Sequence, residues 1–561
     1  MSDTASLSSP VTGAAASPPS WSMLLLLVLT LIWFALLGYR DLNEPDEGRY
    51  AEIPREMMVS GDWLTPRLNG FKYFEKPPLQ YWATASFYHL FGSSTATSRL
   101  WCALMGFIGI LWVIRVGSSQ FGAAAGWYAG LSLASMLLYI AMGHFNTLDM
   151  GLSVFLALGI GALVIGQSQR NRDPGRCRAY MLFGWAALAG ACMSKGLIGL
   201  VLPAASLLFY SLWQRDWQLW RHLSLGWGLL LFLLLTVPWV WAVNQANPEF
   251  ARFFFIHEHF ERYTSTVHSR VGPWYYFIGI LILGSVPWTH RVFAVLLKPG
   301  FPWRKGDGQF DAVRLLWVYS VFILFFFSIS QSKLIPYILP IFPTIAILLG
   351  RQLAMRTSLP EVGWETRIMA ILSSLLFLAG MNADLFANSR HPEAMVWQAK
   401  PWLLASGTVL AIAVMGSLWL RCRGHLAMAL VVLGNLLAFQ FIAWGADVFS
   451  PSKSSYNAAR AIMAMGEEKL PVYCVDCYFQ SLPYYLNQKI HLVRYRGEMD
   501  FGIRQQPELW IASEEAFKKR WLEEEQAVVL FGNDQWQNWH KQGLPMRLIH
   551  QDERRAVFAR R

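Results

Sequence analysis

Apolar residues recur along the chain in thirteen runs, near residues 21–39, 97–116, 122–141, 149–167, 180–194, 197–213, 223–244, 274–290, 313–329, 336–350, 367–383, 401–420 and 426–446. A bilayer core of about 30 Å is crossed by a helix of about 20 apolar residues. Lipid offers the backbone no hydrogen-bond partners, so such runs must satisfy their own N–H and C=O groups as helices. The pattern predicts a polytopic α-helical membrane protein with about thirteen spans. Composition agrees: 15% of the residues are charged, against about 25% in soluble domains. A disordered chain, a fibrous repeat and an ordinary soluble enzyme are excluded. The two runs that meet around Lys195 are short for full spans.

Charge sets the orientation. Arg115, Arg170–Arg178, Arg215 and Arg221, Lys298–Lys305, Arg351 and Arg356, and Arg421 and Arg423 fall on one side of the predicted spans, which is then cytoplasmic. The net charge of +11 is explained by these loops, and no nucleic-acid partner is expected. Residues 1–20, rich in Ser, Ala and Pro with Asp3 as the single charge, read as a disordered cytoplasmic tail. Trp21–Tyr39 has no basic flank or cleavage site before it and reads as a retained span. An odd number of spans places the C-terminal segment outside.

Three outer segments break the pattern of short loops. Residues 40–96 are dense in charge, and their later part, Leu79–Phe91, is apolar and aromatic but too short to span, as for a helix lying at the interface. Residues 245–273 hold His257, Glu258, His259, Glu261 and Arg262 within six positions. Residues 449–561 alternate short apolar runs (Val472–Val475, Ile490–Val493, Leu509–Ile511, Ala527–Phe531, Arg555–Ala559) with helix-like stretches, predicting a small α/β domain outside the 21–448 membrane domain. Neither a phosphate-binding P-loop nor a dinucleotide fingerprint is present. The absence of an internal repeat argues against a transporter.

The residues able to do chemistry gather on this outer side. Asp46 and Glu47, with Arg49, Tyr50 and Glu52, read either as a solvated charge run or as carboxylates held at the membrane surface to bind a polar substrate. Lys76, before Pro77-Pro78, either snorkels to the interface or pairs with a lipid phosphate. His144 and Asp149 flank predicted spans, and an acid at that depth should face a cavity or a partner. Lys195 and Lys333 read either as flank residues or as site residues. His257 and His259, two apart, do not share a helix face, which argues against a zinc-protease arrangement; a metal site with Glu75 as a further ligand is the lesser alternative. Cys474-x-x-Cys477 lies in the predicted oxidising compartment, where a local structural disulfide is expected ahead of free thiols or redox work.

Asp46-Glu47-Gly48-Arg49-Tyr50-Ala51-Glu52, then Ser60-Gly61-Asp62-Trp63-Leu64-Thr65-Pro66 and Phe74-Glu75-Lys76-Pro77-Pro78, resemble the first outer loop of the bacterial protein-mannosyltransferase-like GT-C glycosyltransferases. Ser194-Lys195-Gly196 and Ser332-Lys333-Leu334-Ile335-Pro336-Tyr337 support the match, which covers roughly residues 20–350. Within that group the chain most resembles the 4-amino-4-deoxy-L-arabinose transferases of lipid A. The resemblance implies an enzyme in the bacterial inner membrane with its site facing the periplasm. Its donor would be a sugar on undecaprenyl phosphate, its acceptor a phosphate of lipid A, and its chemistry inverting. The alternative is transfer of another sugar from a polyprenyl phosphate to a protein or glycan hydroxyl. Fixed cations can stabilise the leaving phosphate, so no metal or other cofactor is expected. Asp46, Asp149 and Lys76 are implied as catalytic. Arg49, Tyr50, Tyr73, Glu75, His257, Glu258, His259, Arg262, Tyr263, Lys333 and Tyr337 are implied to bind the donor phosphate and sugar. Membrane lipids are the other expected partners, and a monomer is expected.

Overall fold

The computed structural model describes residues 22–261, 272–298, 300–301, 303, 305–355, 362–388, 392–466 and 469–560, with the backbone alone for 257–261. A helix or a broken helix pair occupies each of the thirteen apolar runs. Among the described residues seven helices are long and apolar enough to cross a membrane, eight if the pair Ala123–Ala134 and Leu137–Gly143, bent by 68°, is one span. The other runs fall short of full spans for visible reasons. Ser22–Phe34, Ile198–Gln214 and Ile341–Ala354 are short, and 274–290 breaks between Tyr276–Gly284 and Thr289–Leu297. The expected meeting point at Lys195 is real: helix Pro174–Lys195 stops at Gly196, whose φ of +90° belongs to the region glycine favours, and Ile198–Gln214 follows.

The first outer loop is largely helical. Asp46–Ser60 forms a helix, with Asp46 and Glu47 in its first turn, where the helix dipole favours carboxylates. A two-strand hairpin follows, β1 (Arg67–Leu68) and β2 (Phe71–Lys72). Leu79–Phe91 is the expected short apolar helix.

The C-terminal segment carries a six-stranded sheet: β3 (Val472–Val475), β4 (His491–Val493), β5 (Trp510–Ile511), β6 (Val528–Gly532), β7 (Met546–Gln551) and β8 (Arg555–Arg560), in the order β5-β4-β3-β6-β8-β7. β5, β4, β3 and β6 are parallel; β8 runs antiparallel to β6, and β7 to β8. The five strands expected from apolar runs are present within one or two residues. The additional edge strand β7 is largely exposed on one side and carries too few apolar residues to announce itself. Cys474, buried in β3, and Cys477, half-buried after it, are free thiols rather than the expected disulfide.

Among the described residues the two largest apolar clusters position the site. One lies among the membrane helices, around Trp33, Tyr139, Trp288 and Tyr319. The second is shared: Tyr50, Ile53, Met57, Leu68, Phe71 and Tyr81 of the first loop pack in one cluster with Cys474, Phe479, Leu482, Leu530 and Val557 of the C-terminal domain. The loop and the domain are therefore one folding body above the membrane helices.

Candidate active site

Where the membrane helices meet that body, a cavity of about 1730 Å³ opens. Its walls come from the first loop, the first turn of Leu148–Gln169, the end of Pro174–Lys195, the segment 248–256, the turn 330–340 and residues 497–505 of the C-terminal domain. Of the residues singled out from the sequence, Asp46, Arg49, Tyr50, Glu75, Lys76, Asp149 and Tyr337 all line it.

Asp46 and Glu47 part company at the helix start. The Asp46 side chain is 55% exposed and lies 3.2 Å from Arg49 Nη1. Glu47 is buried: its carboxylate accepts from Arg99 Nε at 2.7 Å and Nη2 at 2.9 Å, and from the backbone N–H of Asn43 and Asn146. Burial, the largest single influence, pushes the Glu47 carboxyl up, but the charge and hydrogen bonds of Arg99, the charge of Arg40 and the Asn43 N–H together outweigh it and hold the group down at about 2. Arg99 also donates to the carbonyls of Leu37, Arg40 and Asp41, so this pair fastens the loop to the membrane helices.

Arg49 is the hinge between the two parts of the site. Its guanidinium pairs with Asp46 and with Glu498 of the C-terminal domain, and sits against the rings of Tyr50 and Tyr73 at 5.8 and 6.0 Å. Burial raises the Glu498 carboxyl above the usual range, against the pull of Arg49. Lys76 lies in the cavity wall with its Nζ donating to the Glu75 carbonyl at 2.7 Å. Tyr73 does not line the cavity; it is buried beneath Arg49, and its hydroxyl has no hydrogen-bond partner among the described residues.

Asp149 stands in the first turn of Leu148–Gln169 and Lys195 in the last turn of the neighbouring Pro174–Lys195. Each charge occupies the helix end whose dipole favours it, and Lys195 Nζ donates to Asp149 Oδ1. Lys195 also lies 5.1 Å from the Tyr337 ring centroid. Lys195 is thus a cavity residue that sequence reasoning left undecided; Ser-Lys-Gly before an apolar run was its only signal. Lys333 is placed differently from its expected role. It lies outside the cavity lining, and its Nζ donates to the carbonyls of Phe327, Ser328 and Ser330, closing the end of helix Ala312–Ile329. His144 is likewise structural, bonded to the carbonyls of Ile140 and Trp33 and to Gln440. Arg262 and Tyr263, and the side chains of His257, Glu258 and His259, lie outside the described residues.

Residues 20–254 match the family model described as dolichyl-phosphate-mannose-protein mannosyltransferase, and residues 458–560 match the aminoarabinose transferase C-terminal domain. An undecaprenyl phosphate-alpha-4-amino-4-deoxy-L-arabinose arabinosyl transferase of Enterobacter sp. (strain 638) is 30% identical over 416 residues, covering 72% of this chain and 73% of the relative. The chain belongs to the aminoarabinose transferase family of GT-C glycosyltransferases. A second family member, from Shewanella sediminis, is 32% identical over 67% of this chain and 68% of its own. Aligned segments cover between 59% and 73% of such aminoarabinose transferases. The crystal structure of ArnT from Cupriavidus metallidurans bound to undecaprenyl phosphate superposes with a TM-score of 0.88 at 34% identity, over 96% of this chain and 98% of that one. The whole aminoarabinose transferase architecture, membrane helices and C-terminal sheet together, is therefore present here.

Proposed function

We propose that the chain transfers 4-amino-4-deoxy-L-arabinose from undecaprenyl phosphate to a phosphate of lipid A, at the periplasmic face of the bacterial inner membrane. The observation that carries this reading is the cavity at the junction of membrane helices and outer body, with Lys76, Arg49 and Lys195 set around the carboxylates Asp46 and Asp149. It fits a donor whose leaving group is a lipid phosphate and whose sugar is a cation.

In the proposed reaction an oxygen of the acceptor phosphate attacks the anomeric carbon from the face opposite the donor phosphate. The bond from that carbon to the donor phosphate oxygen breaks, its electron pair stays on undecaprenyl phosphate, and the anomeric centre inverts. Lys76 and Arg49 hold the departing phosphate and stabilise its growing charge; fixed cations in a closed site serve this without a metal. Arg49 is kept in place by Glu498 and Asp46. Because an acceptor phosphate is already anionic near neutral pH, Asp46 is not needed as a base. Asp46, largely exposed in the cavity, instead receives the ammonium group of the sugar or orients the acceptor. Lys195 holds Asp149, and Tyr337 closes the wall beside them.

The test is the mass spectrum of lipid A from bacteria that make the lipid-linked aminosugar, lacking this protein or carrying it. The expected result is a new species heavier by one aminopentose, lost with Asp46→Asn and with Lys76→Ala. Unchanged lipid A with folded protein present overturns the reading, and normal transfer by either variant overturns that residue's role.

A further inference from the structure

The proposed reaction brings two anionic lipids to one cavity, and the inner cations Lys76 and Arg49 serve the departing one. Three more cations line the cavity: Lys195, which is paired with Asp149, and two that are exposed, which places them at its rim. Arg252 opens the π-helical stretch Arg252–Glu261, and Arg504 belongs to helix Asp500–Gln505 of the C-terminal domain. These distant segments are joined by Phe253, next to Arg252 in the chain, and Phe501, three residues before Arg504, whose ring centroids are 4.0 Å apart.

The rim is built rather than loose. A Cβ at Gly502 would stand 2.8 Å from the Lys72 carbonyl oxygen, so helix Asp500–Gln505 is pressed onto the hairpin. Lys72 in turn donates to Gln506 from its backbone at 2.9 Å and to Glu249 from its side chain at 2.6 Å. Arg252 has no ion-pair partner among the described residues. Among the described residues Arg504 pairs only with Asp500, on its own helix, while its side chain stays 69% exposed; such a pair is weak and readily exchanged. The same rim carries apolar shoulders: Ile256 and Ile335 line the cavity and are 52% and 47% exposed. Cations beside exposed apolar groups at a membrane surface match a phosphorylated glycolipid, with its phosphate on the arginines and its chains in the bilayer.

We infer that Arg252 and Arg504 form the acceptor-phosphate site, separate from the donor-phosphate site at Lys76; the inference rests on the proposed function. Separate cation sets let two phosphates approach one sugar without facing each other's charge directly. One set stabilises the leaving group while the other holds the nucleophile.

The experiment uses the full-length protein in proteoliposomes, with undecaprenyl-phosphate-linked aminoarabinose as donor and bisphosphorylated lipid A as acceptor. Arg252→Gln combined with Arg504→Gln is expected to raise the acceptor KM about tenfold and to leave the donor KM unchanged, which also reports a folded site. Added salt should raise the wild-type acceptor KM, and the double variant should lose most of that dependence. Arg252→Lys with Arg504→Lys, which keeps both charges, should recover most of the affinity. A donor KM that rises in step, or an acceptor KM and salt dependence like wild type, overturns the inference while the proposed function stands. No transfer to lipid A by the wild-type protein overturns the proposed function and this site with it.

Discussion

Consecutive residues on a helix project about 100° apart, so Asp46 and Glu47 meet different surroundings. Asp46 is left available to a ligand, while Glu47 is consumed by Arg99 and two backbone N–H groups. Opposite results are expected from the two amides. Asp46→Asn should abolish transfer and leave the unfolding temperature in detergent within a degree or two of wild type. Glu47→Gln should lower it sharply, because leaving Arg99 buried without its counter-charge costs about 3–5 kcal/mol. The pH dependence follows from the same pair. A carboxyl held at about 2 in the folded chain, below its ordinary value, stabilises the fold fully above about pH 5 and loses that contribution as the pH falls toward 2. Thermal unfolding across that window should show the loss in wild type and a flatter profile in Glu47→Gln. Asp149 and Lys195 are coupled too, since each neutralises the other. Asp149→Asn and Lys195→Met should each reduce transfer by more than tenfold, and the double variant should be no worse than the weaker single one. Effects that simply multiply would show that the pair does not act as a unit.

Helix Asp46–Ser60 is the element on which the site turns, because it touches both the cavity and the C-terminal domain. Gly48 is its point of close approach: a Cβ there would lie 2.6 Å from Ser481 N and 2.8 Å from the Gln480 carbonyl carbon, backbone atoms that cannot swing aside as a side chain can. Beside it Glu44 accepts from Ser481 Oγ at 2.7 Å and from Arg554 Nη1 at 2.9 Å. Gly48→Ala should cost about 1–3 kcal/mol through overpacking and should also reduce transfer, since tilting this helix displaces Asp46 and Arg49. Gly61→Ala is the control for stability alone: its φ of +72° carries strain, but no neighbour lies within 4 Å of the added carbon. A Gly48→Ala protein with wild-type transfer would separate the docking contact from the chemistry. This helix also shows what the chain reveals locally. Its charged residues form one compact motif, so Asp46, Arg49 and Tyr50 were legible together with Glu75 and Lys76 a short way on. Its reason for having glycine at 48 was not, because the contact is with residues more than 400 positions away.

At the scale of the whole molecule, apolar runs and loop charge foretold a helical membrane part and an α/β domain, since both signals are local. They did not reveal that the two share a core, nor that the domain supplies a wall of the cavity. Glu498, Phe501 and Arg504 sit between the apolar runs Ile490–Val493 and Leu509–Ile511 with no local signal of a site, and only long-range packing brings Glu498 to Arg49 and Phe501 to Phe253. Lys333 shows the complementary limit: a lysine in a family-like motif announces its type but not whether its ammonium faces a ligand or, as here, three carbonyls. The shared core carries the last prediction. Without residues 449–561, Tyr50, Ile53, Met57 and Phe71 lose the apolar partners they pack against, and Arg49 loses Glu498. A fully buried apolar side chain is worth about 1.5–3 kcal/mol, so four stripped of partners exceed what a short helix and hairpin can hold unaided. A chain ending at Val448 should still insert in the membrane. Hydrogen exchange should then find the amides of 46–60 open, where the full chain protects them, and transfer should be absent. Protection of that helix in the truncated chain would mean that the membrane helices alone shape the site, and that the domain acts only in contacting the acceptor.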